Sequence, residues 1–210
     1  MPTDTVEIAD LPAAWAELLP YEPELGERLL HQWSEPHRRY HTPAHLAHML
    51  TMINSLAEPG QELTEVRLAA WYHDAIYRIG ATDNEEASAA LAHDELSGLV
   101  ERPEEVARLI MVTADHRPPP GDAAAALLCD ADLAILAAAP EAYDDYVARV
   151  RAEYAAVDDS AFTAGRLRVL TALREQDLFH TPAGRRMLRA ARANLDREIS
   201  DLQAVAAAAR

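Results

Sequence analysis

No stretch of this chain alternates apolar and polar residues over about four to eight positions bounded by turn residues, the pattern a strand leaves. The apolar runs are punctuated by proline and by cap residues instead. Leu11 to Leu19 stops at Pro20, and Glu22 to Trp33 stops before Pro36. Thr42 followed by Pro43 reads as an N-cap with proline at the first helical position, opening a helix to about Glu58. Thr64 is expected to cap the helix that carries Trp71, Tyr72, His73 and Asp74. Asp83 and Glu86 have the spacing of a capping box and open a helix to about Ser97. Another runs from Pro103 to about His116, where Arg117-Pro118-Pro119-Pro120-Gly121 breaks it. Asp122 caps a helix through Leu136, Pro140 starts the next, and Asp158 to Asp177 holds one more. Thr181-Pro182 repeats the cap-plus-proline opening for the last helix. In that helix Leu195, Ile199, Leu202 and Val205 share a face that packs on the core or on another subunit, and the Ala204 to Ala209 run frays. The expected fold is all-α, a single domain over residues 1–210 with about ten helices.

Composition sharpens that picture. Seven Gly in 210 residues is sparse, which favours helix, and 50% hydrophobic residues are enough to bury a core. Lys+Arg 19 against Asp+Glu 35 leaves a net charge of −16. A surface that acidic repels phosphate backbones, so nucleic acid polymers and anionic membranes are poor partners. A small anionic substrate remains compatible, because a metal ion or a few arginines can invert the charge inside one cleft. Cys129 is the single cysteine, which excludes an internal disulfide and suits a reducing compartment. Met1 to Asp4 show neither a basic nor an apolar leader, so a cytoplasmic location is expected.

Three stretches carry candidate chemistry. In Arg39-Tyr40-His41-Thr42-Pro43-Ala44-His45, the imidazoles of His41 and His45 can ligate a metal, donate a proton, or hydrogen-bond at a helix start. His73-Asp74 falls inside an apolar run, where a divalent cation would satisfy both groups and a helix-edge ion pair is the plainer alternative. In Leu128-Cys129-Asp130-Ala131-Asp132-Leu133 two aspartates again sit among apolar neighbours, well past any capping position, and call for a cation or a hydrogen-bond network.

The ordered set His, His-Asp, Asp resembles the HD-domain superfamily of helical metal-dependent phosphohydrolases, and within it the bacterial group of predicted phosphohydrolases. The matching text is Arg39-Tyr40-His41-Thr42-x-x-His45-Leu46, Trp71-Tyr72-His73-Asp74, Asn84-Glu85-x-x-Ser88-Ala89 and Cys129-Asp130-Ala131-Asp132-Leu133. Tyr146-x-x-x-Val150-Arg151-x-Glu153-Tyr154 and Ala191-Arg192-x-Asn194-Leu195 also read like that group, and the resemblance covers about residues 30–200. It implies an HD-type bundle binding a divalent metal ion (Mn, Co, Ni, Zn, Mg or Fe), with His45, His73, Asp74 and Asp132 as ligands. It implies His41 as general acid and Asp130 as a residue orienting a ligand or a water. A dinuclear variant of the fold would add His116 and Glu85 around a second metal.

The activity so implied is hydrolysis of a phosphoester of a small soluble molecule, such as a nucleotide. Arg39, Arg78, Arg117 and Arg151 stand beside the motif residues and are the candidates for holding phosphate. The text departs from the superfamily's nucleotidases after His-Asp, where Ala75-Ile76-Tyr77 offers no acidic residue; Glu85, Asp130 and Asp115 are the remaining bases. Two other readings stay open: a di-iron oxygenase on the same fold, and a non-catalytic module that binds a nucleotide or a partner. A ferritin-like di-iron bundle is excluded, since no His has Glu three residues before it.

Overall fold

The computed structural model describes residues 10–208, so the expectations for Met1 to Asp4 and for the last two residues fall outside the described chain. Ten α-helices appear among the described residues: α1 (Leu11–Leu18), α2 (Pro23–Trp33), α3 (Pro43–Leu56), α4 (Thr64–Tyr72), α5 (Asn84–Leu96), α6 (Pro103–Val112), α7 (Ala123–Asp132), α8 (Pro140–Glu153), α9 (Asp159–Glu175) and α10 (Leu188–Ala208). Short 3-10 turns at Leu133–Ala137 and Gly184–Met187 join α7 to α8 and lead into α10. The one strand-like pairing among these residues is an isolated bridge between Ser97 and Val100. The all-α expectation holds, and no single described helix is long and apolar enough to cross a membrane.

Several helices stop earlier than their sequence pattern predicts. α4 ends at Tyr72, which leaves His73 at its C-cap and Asp74 in the following turn rather than inside a helix. Side chains take over the backbone groups that a longer helix would have satisfied. The Arg38 guanidinium donates to the carbonyls of Asp74 at 2.8 Å and Ala75 at 3.1 Å. Ser88 Oγ accepts from Ile76 N, and the Asn84 amide brackets both the N–H and the C=O of Arg78. α6 ends at Val112, and α7 gives way to 3-10 geometry after Asp132 instead of continuing to Leu136.

Caps form only in part. Asp122 and Asp158 accept from Ala125 N and Ala161 N as N-cap residues do. Asp83 makes no cap bond and pairs with Arg78 at 2.9 Å, so the capping box does not form. Thr42 likewise makes no side-chain cap bond. Thr64 is the first residue of α4, with Leu63 at the cap position. Thr181-Pro182 precedes the 3-10 turn and not α10 itself, with Thr181 Oγ1 accepting from Gly184 N.

The apolar residues form two cores. The larger gathers Trp15, Trp33, Leu50, Trp71, Leu109 and Leu128 from α1 through α7; the smaller gathers Leu136, Tyr143, Leu170 and Leu195 from the later elements. Each such buried side chain contributes about 1.5–3 kcal/mol. Trp15 meets Trp71 edge-on at 5.0 Å, and Trp33 Nε1 donates to the Trp71 carbonyl at 2.9 Å. Gly26 is required there, since a Cβ would lie 2.4 Å from the Trp15 ring. On α10, Leu195 is buried and Ile199 and Leu202 pack on the smaller core, but Val205 is exposed, so the apolar face ends one turn earlier than expected. Cys129 is buried, and burial pushes its thiol well above the ordinary range, which leaves it inert.

Candidate metal centre

Four helix ends converge where the two cores meet. His73 and Asp74 come from the C-terminus of α4, His116 from the loop after α6, Asp132 from the last position of α7, and His41 and His45 from the start of α3. The C-terminal ends of α4 and α7 carry partial negative charge, which favours a cation between them.

The donor atoms lie close together. His45, His73 and Asp74 each offer one ligand atom within 4.8 Å of the others. Asp132 Oδ1 sits 3.2 Å from His45 Nε2 and 3.8 Å from His73 Nε2, and Asp74 Oδ2 sits 3.1 Å from His73 Nε2. Neither His45 Nε2 nor His73 Nε2 has a hydrogen-bond partner among the described residues, although each is buried. Orphaned buried ring nitrogens are costly, and these stand beside carboxylate oxygens without hydrogen-bond geometry. Imidazole nitrogens and carboxylate oxygens gathered this closely, with those two nitrogens left unbonded, are the kind of donor set a divalent cation takes, so the residues present could hold such an ion.

The electrostatics agree. Burial pushes the Asp132 carboxyl up, but the hydrogen bond from His116 and the imidazoles of His45 and His73 outweigh it and hold it well below the usual carboxylate range. Asp74 is likewise lowered, with burial again overcome by His73 and His41. Burial disfavours a charged His73, yet Asp74 and Asp132 raise it to about 9. The field of the two carboxylates therefore calls for positive charge at that nitrogen.

Depth differs across the cluster. The His45 and His73 side chains are 2% and 3% exposed, while those of His116 and His41 are 18% and 22% exposed, so the cluster opens on the side of the latter two. His41 Nδ1 is bonded to Glu153 Oε1 at 2.5 Å, which leaves Nε2, 3.9 Å from Asp74 Oδ2, facing the opening. Burial lowers His41, but Asp74 and the Glu153 hydrogen bond raise it more, for a net upward shift.

His116 adopts φ 55°, the one left-handed non-glycine backbone among the described residues. That conformation costs roughly 1–2 kcal/mol for an L-residue. It brings Nε2 to 2.8 Å from Asp132 Oδ2. His116 thus orients the Asp132 carboxylate, and Glu85 lies in the first turn of α5.

The two aspartates of α7 part company. Asp132 faces the imidazoles, whereas Asp130 accepts from His180 N, Thr181 N and Thr181 Oγ1 at 2.7–2.8 Å. Its contacts are to the segment before α10 and not to a candidate ligand. Burial raises Asp130 above the ordinary carboxylate range, and those donors offset that only in part.

None of the four arginines expected to hold phosphate contacts the cluster. Arg39 donates to the Pro36 and Arg38 carbonyls, Arg78 pairs with Asp83, and Arg117 bonds Gln176. Arg151 donates to the carbonyls of Tyr154 and Val157 just past the end of α8 and pairs with Asp159. The arginine that matters here is Arg38, buried between the Trp33 and Tyr77 rings and tied to Asp74 and Ala75.

Glu153 is the other residue that sequence reasoning assigned no role. Its carboxylate accepts from the backbone N–H groups of Arg39, Tyr40 and His41, from the Tyr77 hydroxyl, and from His41. Its signal in the sequence was its place in the Tyr146-x-x-x-Val150-Arg151-x-Glu153-Tyr154 text, which carried no role. No protein-family model, curated protein or solved structure matches the chain.

Proposed function

We propose that this protein is a metal-dependent phosphohydrolase of the HD type, acting on a phosphoester of a small soluble molecule. The observation that carries the reading is the pair of buried, partnerless Nε2 atoms of His45 and His73, set against the oxygens of Asp74 and Asp132. His45, His73, Asp74 and Asp132 would hold the ion, which supplies a Lewis acid and acidifies a bound water.

The remaining work falls to the chain. His73 Nδ1 donates to the Ala70 carbonyl, so its Nε2 keeps a free lone pair. Glu153 holds the His41 ring so that a proton on Nε2 faces the opening, where it can pass to a departing alkoxide oxygen. Arg38 fixes the Asp74 backbone through its carbonyl and thereby the aim of that carboxylate.

The di-iron alternative would need a second ion held by His116 and Glu85; His116 Nε2 is instead engaged with Asp132 Oδ2 at 2.8 Å, which favours the mononuclear hydrolase. The test is elemental mass spectrometry of chelator-free protein together with a phosphoester screen. One Mn, Co, Ni, Zn or Mg per chain, with metal-dependent hydrolysis lost in His73→Ala, supports the reading. Absence of bound metal after reconstitution, or hydrolysis that survives metal removal, overturns it.

A further inference from the structure

A second cavity, of about 350 Å3, opens between the proline loop 118–121, the start of α7, and the 180–185 segment. Its volume is within the roughly 300–1,000 Å3 range of small-molecule sites. None of the candidate metal ligands lines it.

Three features of its wall point to one ligand chemistry. His180 contributes its ring to the wall, and its buried Nε2 has no hydrogen-bond partner among the described residues. Arg185 stands exposed on the same wall without an ion pair among the described residues, and Arg186 on the same 3-10 turn, with Arg189 and the half-buried Arg192 on α10, likewise has no carboxylate partner among them. In a chain of net charge −16, four arginines within eight residues left without carboxylate partners repel one another and favour a bound anion. The acidic residues of the wall do not cancel this. Asp122 is already paired with Arg108 at 2.8 Å and accepts from Ala125 N, and Glu58 is exposed at the rim. Pro118, Pro119, Pro182 and Ala126 make the rest of the wall apolar.

We propose that this cavity is a binding site for a small organic anion, whose charged group meets Arg185 and His180 and whose apolar body lies against the prolines. The site is also placed to act on the cluster. Its floor, His180 and Thr181, is bonded to Asp130, two residues before Asp132 on α7, and its rim is the loop that begins at His116. Occupancy therefore bears on the Asp130 end of α7 and on the loop that carries His116, the residue bonded to Asp132; this linkage, unlike the site itself, rests on the metal-centre reading.

The test uses phenylphosphonate, which has an anionic head and an apolar ring, titrated calorimetrically into the full chain in excess chelator. Saturable binding is expected, weakened about tenfold or more in Arg185→Ala and in His180→Ala, as for loss of a charge-assisted hydrogen bond. Arg102→Ala, a remote surface change, and His73→Ala should bind as the wild type does. Binding that never saturates, or that is equally weakened by Arg102→Ala and Arg185→Ala, overturns the site. For the linkage, saturating phenylphosphonate should shift the Mn2+ affinity of the wild type and leave that of Arg185→Ala unshifted. An equal shift in both, or none in the wild type, overturns the linkage. Failure of Mn2+ to bind at all would sink the metal-centre reading while the chelator titration still decides the site.

Discussion

His73 Nδ1 donates to the carbonyl oxygen of Ala70, one turn back on α4, at 3.0 Å. That single bond settles which ring nitrogen faces the cluster, since the neutral imidazole then carries its lone pair on Nε2. The same carbonyl would be unsatisfied at a helix end in the absence of a donor. Local helix chemistry and metal-ligand geometry are thus served by one imidazole.

The two aspartates of α7 should separate cleanly on mutation. Asp132→Ala is expected to abolish metal binding while the helical circular dichroism stays intact. Asp130→Ala should keep the metal but lose about 2–4 kcal/mol of stability, because three buried donors lose their acceptor. Metal content and urea unfolding of both variants check this; metal loss in Asp130→Ala would put that carboxylate at the ion.

Gly184 packs directly on Asp130, and a Cβ there would lie 2.0 Å from Oδ2. Gly184→Ala should therefore push the 180–184 segment off α7 and cost about 1–3 kcal/mol, as overpacking does. A melting temperature equal to that of the wild type would show that the segment can shift without loss.

Glu153 gives a prediction with a definite pH sign. Burial pushes its carboxyl up, but the hydrogen bond and charge of His41, with the Arg39 N–H and the Tyr77 hydroxyl, bring it down to about 2. A depressed carboxylate stabilises the fold above its unfolded value of about 4.3, and that contribution is lost as pH falls through the folded value. Glu153→Gln should therefore cost about 3 kcal/mol near neutral pH, with the gap to wild type closing between about pH 4 and pH 2. Denaturant unfolding across that range is the measurement, and a gap independent of pH would contradict it.

His41→Ala should retain metal and lower turnover by about 100-fold, the scale of a lost general acid. Loss of metal in that variant would make His41 a ligand. The proton-transfer assignment further predicts that Glu153→Gln lowers kcat with little change in KM.

His116 trades backbone strain for the bond to Asp132. His116→Gly removes a left-handed penalty of about 1–2 kcal/mol and, with it, the hydrogen bond to buried Asp132, so the two effects offset and the melting temperature should stay near that of the wild type. The same change should weaken metal binding by about 10–100-fold, as removal of a partner that orients a ligand does. Unchanged affinity would show that Asp132 is held well enough by other contacts.

Residue types and short-range spacing were sufficient for much of this molecule. Proline and cap residues marked nearly every helix start, the scarcity of glycine and of alternating runs pointed to an all-α chain, and polar groups among apolar neighbours singled out His73-Asp74 and the Asp130/Asp132 pair, while the choice of His45 and Asp132 as ligands came from the family resemblance. These features are local, and local propensity acts within a few residues. What tertiary structure decided is long-range. Glu153 reaches His41 across 112 positions, and Arg38 ends α4 at Tyr72 by taking carbonyls from a segment 36 and 37 residues away. Asp130 and Asp132, near-equivalent in sequence, diverge because one turns toward the segment before α10 and the other toward the imidazoles. The four arginines beside the motifs are drawn to carbonyls and carboxylates nearby in space. Hydrogen-bond partners are chosen by proximity after folding, and no spacing rule along the chain encodes them.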